Sequence, residues 1–323
     1  MDKTSEEIEP ASGFSFPDPG VFERFSLPVG DGHTLNVELS GKGDGVPIVF
    51  CHGGPGGLIG DHVRCYGDPD KVLLVQIDQR GCGRSTPLGE TQANTLDHLV
   101  EDMEKVRAHL SLERWTVAGG SWGVTLAIRY GQLHPDRTAG LILRGGFLGD
   151  ASGFEWFDKT MHHIFPDAFE IFANATGCGQ DESIYDATEK HVLGDDLEKA
   201  RQAALALTLY EERCASLDPP ENLDDAFDAD ECLNGIRIAL HYRKHQAFLP
   251  PNGILGDMNI LADTPGILVH GRYDIVCPFG NAVKLKRVWP QADLVLCPHA
   301  GHLGTEPELA QAMTRAFQKA ERW

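Results

Sequence analysis

Residues 115–123 read Trp115-Thr116-Val117-Ala118-Gly119-Gly120-Ser121-Trp122-Gly123. A short apolar run suited to a strand breaks into G-x-S-x-G, and a helical pattern then continues to His134-Pro135. In that context the serine sits on a sharp, strained strand-to-helix turn whose crowded flanks require small neighbours. The turn lifts the hydroxyl clear of the sheet and aims the next helix N-terminus at it. The spacing therefore predicts a nucleophile at Ser121 rather than a linker serine.

The same rhythm extends on both sides. Phe22 to Leu39 alternates and turns at Gly30-Asp31-Gly32, as a hairpin does. Pro47 to Cys51 ends in a glycine-rich loop, and Val72 to Ile77 ends at Asp78. Thr95 to Leu110 sets Leu96, Leu99, Val100, Met103, Val106 and Leu110 on one helical face. Leu141 to Leu143, Ile267 to His270 and Leu294 to Cys297 resume the strands, and Pro307 to Glu321 closes the chain as a helix. Strands alternating with helices predict an α/β fold, a mostly parallel sheet with both faces covered.

The chain is expected to divide into a core, residues 1–149 and 261–323, and an inserted helical lid, residues 150–260. The insertion contains helical runs at Leu197 to Cys214 and Glu231 to His245. It carries 22 Asp and Glu against 8 Lys and Arg, a net −14 of the chain's −20. An insertion between strands of a parallel sheet falls at the carboxyl edge, where such sheets bind ligands, so a lid is favoured over a solvated elaboration. Its negative potential would favour amine-bearing substrates.

A chain of 323 residues with 41% hydrophobic and 24% charged residues can build a large core. The charge of −20 speaks against nucleic acid and anionic membrane as partners. No apolar run reaches the length of a spanning helix, and Met1 to Pro10 is acidic without a secretory pattern. The 8 cysteines are scattered without C-x-x-C, and His162, His163, His241 and His245 lack carboxylate spacing. A reduced cytoplasmic protein without metal or cofactor is expected.

Serine needs a base, and the base an orienting acid. Asp274 follows the strand Ile267 to His270, and His302 follows Leu294 to Cys297; both are loops at strand carboxyl ends. Asp274 would hold the His302 tautomer, and His302 would take the Ser121 proton. His299 is the main rival base; His270 and Asp293 sit within or before their strands and fit worse. Cys51-His52-Gly53-Gly54-Pro55-Gly56-Gly57 offers backbone amides for an oxyanion, Gly54 N–H pairing with Trp122 N–H. The loop lacks the lysine of a phosphate cradle.

His52-Gly53-Gly54-Pro55-Gly56-Gly57, Asp78-Gln79-Arg80-Gly81-Cys82-Gly83-Arg84-Ser85-Thr86-Pro87, Gly119-Gly120-Ser121-Trp122-Gly123 and Gly271-Arg272-Tyr273-Asp274 together resemble the proline iminopeptidase (prolyl aminopeptidase) family of α/β hydrolases, over nearly the whole chain from Val46. The resemblance implies an α/β-hydrolase fold and removal of N-terminal proline from peptides without a cofactor. It also implies a pocket in which Glu211 takes the substrate's amino group and Phe147 is an aromatic wall.

The lid departs from the family pattern. W-x-x-W-E reads Leu207-Thr208-Leu209-Tyr210-Glu211, and R-I-E-N-H-Y-F reads Arg237-Ile238-Ala239-Leu240-His241-Tyr242-Arg243, so Ala239 replaces a second glutamate. W-F-Y reads Trp156-Phe157-Asp158. Asp158 and Arg243 are candidates to meet a charged substrate or to pair with each other. Losing a charge-assisted hydrogen bond costs about 1.5–3 kcal/mol, so a weaker grip on a prolyl ammonium is expected.

The leading reading is a serine hydrolase that passes through an acyl-enzyme on Ser121 and removes an N-terminal proline or another small residue from a peptide or amide. The alternatives are a relative acting on a non-prolyl metabolite amide, ester or lactone, or transferring its acyl group, and a non-catalytic binding protein on the same scaffold.

Overall fold

A computed structural model describes residues 13–220 and 222–323; the acidic stretch Met1 to Pro10 lies outside the described residues. The alternating segment forms the hairpin β1 (Val21–Gly30) and β2 (His33–Gly41). Then follow β3 (Val46–Cys51), β4 (Val72–Ile77), β5 (Trp115–Gly120), β6 (Thr138–Arg144), β7 (Gly266–Gly271) and β8 (Asp293–Cys297). They form one sheet of 8 strands in the order β1-β2-β4-β3-β5-β6-β7-β8. The hairpin and its junction with β4 are antiparallel, and every later pairing is parallel.

The inner strands β4, β5, β6 and β7 are buried throughout because helices cover both faces. On one face lie α1 (Leu96–His109) and α2 (Trp122–Leu133). The α1 stripe Leu96, Leu99, Val100, Met103 and Val106 is buried as its spacing predicts, and Thr95 caps the helix by accepting from His98 N. On the other face α9 (Pro307–Ala320) buries Leu309, Met313 and Phe317 against Ile48, Ile142 and Val269. One further helix, α8 (Gly280–Val288), has no counterpart in the sequence pattern. Its buried contribution is only Ala282 and Leu285, too sparse a stripe to stand out by periodicity.

Between β6 and β7 lie α3 (Ala151–Glu155), a π-helical turn (Trp156–Thr160), α4 (Pro166–Thr176), α5 (Ile184–Val192), α6 (Leu197–Ala215) and α7 (Ala229–Lys244). Phe169, Phe172, Ala204, Leu207, Tyr210 and Leu233 gather there in an apolar cluster separate from those on the sheet faces. The far side of α7 behaves differently. Ile238 and Tyr242, with Ala247, Ile254, Met258 and Leu261 beyond them, belong to the core of the sheet.

All 8 cysteines are unpaired, and all but Cys65 are buried. No helix among the described residues is long and apolar enough to cross a membrane.

Candidate active site

Ser121 sits between β5 and α2 with φ 57° and ψ −121°, a left-handed backbone unusual for a residue with a side chain. Its amide donates to Arg144 O at 2.9 Å, and its carbonyl accepts from Val124 N and Phe147 N, so the strained turn is bonded on both sides. A Cβ on Gly123 would stand 2.1 Å from Cys51 O, so only glycine lets α2 start this close to β3.

The loops after β7 and β8 bring the acid and the imidazole together. His302 Nδ1 lies 2.8 Å from Asp274 Oδ2, with both side chains buried. Asp274 Oδ1 accepts from Cys277 N at 2.7 Å, which fixes the plane of the carboxylate. Arg144 Nη1 donates to His302 O at 2.5 Å, so the residue whose carbonyl holds Ser121 also holds the imidazole's loop. A Cβ on Gly145 would stand 3.2 Å from Asp274 Oδ2 and 3.3 Å from His302, so a bulkier residue here would crowd the pair.

The rival groups have other partners, although His270 Nε2 also lies 3.4 Å from Asp274 Oδ2. His299 is exposed and pairs with Glu308 at 2.7 Å. His270 is buried, sends Nε2 to Cys277 O at 2.7 Å, and burial holds it below the usual histidine range. Asp293 pairs with Lys319 at the sheet edge. Among the described residues, no group of His, Cys, Asp and Glu is arranged to hold a metal.

Gly54 and Pro55, from the loop after β3, line a cleft with Ser121, Phe147, Phe157, Tyr185, Glu211 and Cys277. Gly54 has φ 118°, and a Cβ there would stand 2.4 Å from Gly56 N, so the loop can coil this tightly only with glycine. Trp122 is the first residue of α2, so its amide has no acceptor within the helix. Gln79, to which no motif assigns a role, ties Trp122 to His52 at the start of the loop that carries Gly54. Gln79 Oε1 accepts from the Trp122 indole at 3.0 Å, Nε2 donates to His52 O at 3.1 Å, and its amide donates to His52 Nε2 at 3.0 Å. The following Arg80 is structural, as its setting suggests: it grips Asp102 through two bonds of 2.6 and 2.8 Å and donates to Ala93 O.

The helices after β6 reach each of these loops. Trp156 Nε1 donates to Ile275 O at 2.7 Å beside the acid, and Ala215 O accepts from His302 N at 3.2 Å. Against the loop after β3, α7 makes backbone contact at a pair of glycines. A Cβ on Gly235 would stand 2.5 Å from Gly56 O, and one on Gly56 2.1 Å from Gly235 O. Glycine inside a helix costs about 1 kcal/mol relative to alanine. Here the close approach accounts for it.

Glu211 and Phe147 lie on the cleft wall. Burial, reinforced by the neighbouring Glu212 charge, pushes the Glu211 carboxyl up to about 7. Phe147 meets Phe154 edge to face at 5.1 Å. Of the two expectations for Asp158 and Arg243, the structure shows the pairing with each other, and neither residue lines the cleft. Asp158 is buried and paired with Arg243 at 3.0 Å, and Arg243 also reaches Asp186 at 2.9 Å. A buried carboxylate needs such a partner, so the two charges are committed to each other. Tyr185 and Cys277, which no motif marks, stand on the wall instead.

Residues 46–308 match the model of the alpha/beta hydrolase fold. A proline iminopeptidase of Xylella fastidiosa is 39% identical over 93% of this chain and 97% of its own length. One from Arabidopsis thaliana is 41% identical over 91% of this chain and 78% of its own. Among solved structures, a proline iminopeptidase-related protein of Thermus thermophilus superposes with a TM-score of 0.59 at 22% identity, covering 92% of this chain and 96% of that one. An esterase of Rhodococcus superposes at 0.61 with 18% identity, covering 93% and 98%. At such identities the structural matches speak for the fold alone; the sequence relatives reach further, and the chain belongs to the proline iminopeptidase family of the α/β hydrolases.

Proposed function

We propose that this protein is a prolyl aminopeptidase that cleaves an N-terminal proline from a small peptide or amide through an acyl-enzyme on Ser121. The observation that carries the reading is that Ser121 and Glu211 line one cleft, a nucleophile and an acceptor for an amino group on the same wall. His302 takes the Ser121 proton and delivers it to the leaving amine, and Asp274 holds the imidazole and stabilises its charged form. Gly54 N–H and Trp122 N–H receive the oxyanion. Water then attacks the acyl-enzyme with His302 as base, releasing proline. Glu211 takes the substrate's ammonium and Phe147 packs on the pyrrolidine ring. The helical segment 150–260 acts as a cap between the core pieces 1–149 and 261–323. The unpaired cysteines fit a reducing compartment, the cytoplasm.

Comparing prolyl-, alanyl- and other aminoacyl-naphthylamides with p-nitrophenyl esters tests the reading. Prolyl amide should be turned over best; turnover of esters alone would transfer the protein to the amide, ester or lactone hydrolases of other metabolites.

The raised Glu211 gives a second expectation. With its carboxyl near 7, the group loses its charge as pH falls through neutrality, while an α-amino group stays protonated up to about 8. The KM for prolyl naphthylamide should therefore rise as pH drops from 8 to 6, with p-nitrophenyl acetate unaffected by this group. Glu211→Gln should raise that KM by about 10- to 150-fold, the size of a hydrogen bond to a charged group, and flatten its pH dependence. A pH-independent wild-type KM would remove Glu211 from ammonium binding.

A further inference from the structure

Tyr185 stands at the start of α5 and lines the cleft together with Glu211. Three separate segments fix its position. Asp158, on the π-helical turn, accepts from Ser183 Oγ at 2.7 Å and from Tyr185 N at 3.3 Å through the same oxygen. Its other oxygen accepts from Arg243 Nη2 at 3.0 Å, and that nitrogen also donates to Ser183 Oγ at 3.1 Å. The Arg243 guanidinium carbon then lies 4.9 Å from the centre of the Tyr185 ring, over its face, and Phe157 packs against the ring at 5.3 Å. Cation–ring contacts of this kind are directional enough to hold an aromatic plane.

The ring's contacts are thus accounted for, and its hydroxyl is not. Among the described residues no protein group hydrogen-bonds to it, and the residue is half-buried on the cleft wall, so the hydroxyl is left for solvent or a bound ligand. Burial and the nearby charges of Glu211 and Asp158 keep the phenol protonated, so it retains both a proton and lone pairs. The secondary ammonium of an N-terminal proline carries two N–H donors, and Glu211 accepting from one leaves the other to find an acceptor. Position 239, where the family pattern supplies a second glutamate, offers only the methyl of Ala239.

We propose that the Tyr185 hydroxyl accepts a hydrogen bond from the substrate's ammonium beside Glu211, and that Asp158 and Arg243 are positioning residues that hold Tyr185 for this purpose. The inference rests on the aminopeptidase reading above. It makes the departures at 158 and 243 one device: an ion pair formed behind the cleft wall, whose purpose is the tyrosine in front of it.

The test compares the full-length wild type with Tyr185→Phe, the paired variant Asp158→Asn/Arg243→Gln, and their combination. The pair is changed together so that neither charge is left buried alone. Tyr185→Phe should raise the KM for prolyl naphthylamide about tenfold or more, with kcat and the melting temperature nearly unchanged. Hydrolysis of p-nitrophenyl acetate, which has no ammonium, should not move. The paired variant should raise the same KM in the wild-type background and add almost nothing on top of Tyr185→Phe. An unchanged KM in Tyr185→Phe overturns the hydroxyl's role. Equal effects of the pair in both backgrounds overturn the positioning role.

If wild type leaves prolyl naphthylamide intact, the aminopeptidase reading fails, and protection of Ser121 from a fluorophosphonate by L-prolinamide decides the inference separately. Protection at least about tenfold weaker in Tyr185→Phe upholds it, while equal protection in both proteins, or none in either, overturns it.

Discussion

Ser121→Ala should lower amide turnover by at least about 10⁴-fold and abolish labelling by a fluorophosphonate, with the melting temperature unchanged. The size follows from the chemistry: without the hydroxyl no acyl-enzyme forms, and only the proposed donors of Gly54 and Trp122 remain to assist direct attack by water. The fold should tolerate the change, because the serine's φ of 57° strains an alanine as much as a serine. The bonds that hold the turn are to its backbone, from Arg144, Val124 and Phe147. Wild type that resists the probe, or a variant that is still labelled, would sink the assignment of the nucleophile. A loss of activity accompanied by unfolding would show that the turn had not tolerated the change.

Asp274→Asn should cost about 10⁴-fold in kcat while leaving substrate binding nearly intact. Here the neighbours decide the sign. Asp274 Oδ1 accepts from Cys277 N at 2.7 Å, so an asparagine must turn its carbonyl oxygen toward that amide. Its NH₂ then faces His302 Nδ1, where Oδ2 now stands at 2.8 Å. A donor there forces the imidazole proton onto the other nitrogen, the one that must be free to take the Ser121 proton. Burst labelling of Ser121 should slow in parallel with kcat. An unchanged rate would mean that His302 is not the base, or that its tautomer is set by something else.

The fold was legible because its signals are local. The strand–turn–helix around Ser121, the α1 stripe and the hairpin turn at Gly30-Asp31-Gly32 each lie within a window that periodicity or turn chemistry can read. The approach of Asp274 to His302 was inferable for a related reason: both follow neighbouring parallel strands, β7 and β8, which end at the same sheet edge. The cap was not legible in the same way. Arg243 meets Asp158 across 85 residues, and Tyr185 meets it across 27, through helices whose mutual packing no local pattern encodes. A charge in a sequence reads as solvated by default, and only packing reveals that Asp158 is buried. Gln79 and Arg144 escaped for another reason. Both act by gripping backbone carbonyls, and a carbonyl leaves no mark in the one-letter code.

The glycine pair where α7 meets the loop after β3 has an engineering consequence. Swapping helical caps among relatives is an obvious route to new selectivity, yet a grafted cap with any side chain at position 235 would push Gly56, and with it the Gly54 amide two residues away. Chimeras that ignore this junction should fold, bind and still turn over slowly. Those that keep a glycine on each side of the seam inherit a working donor pair along with the new pocket.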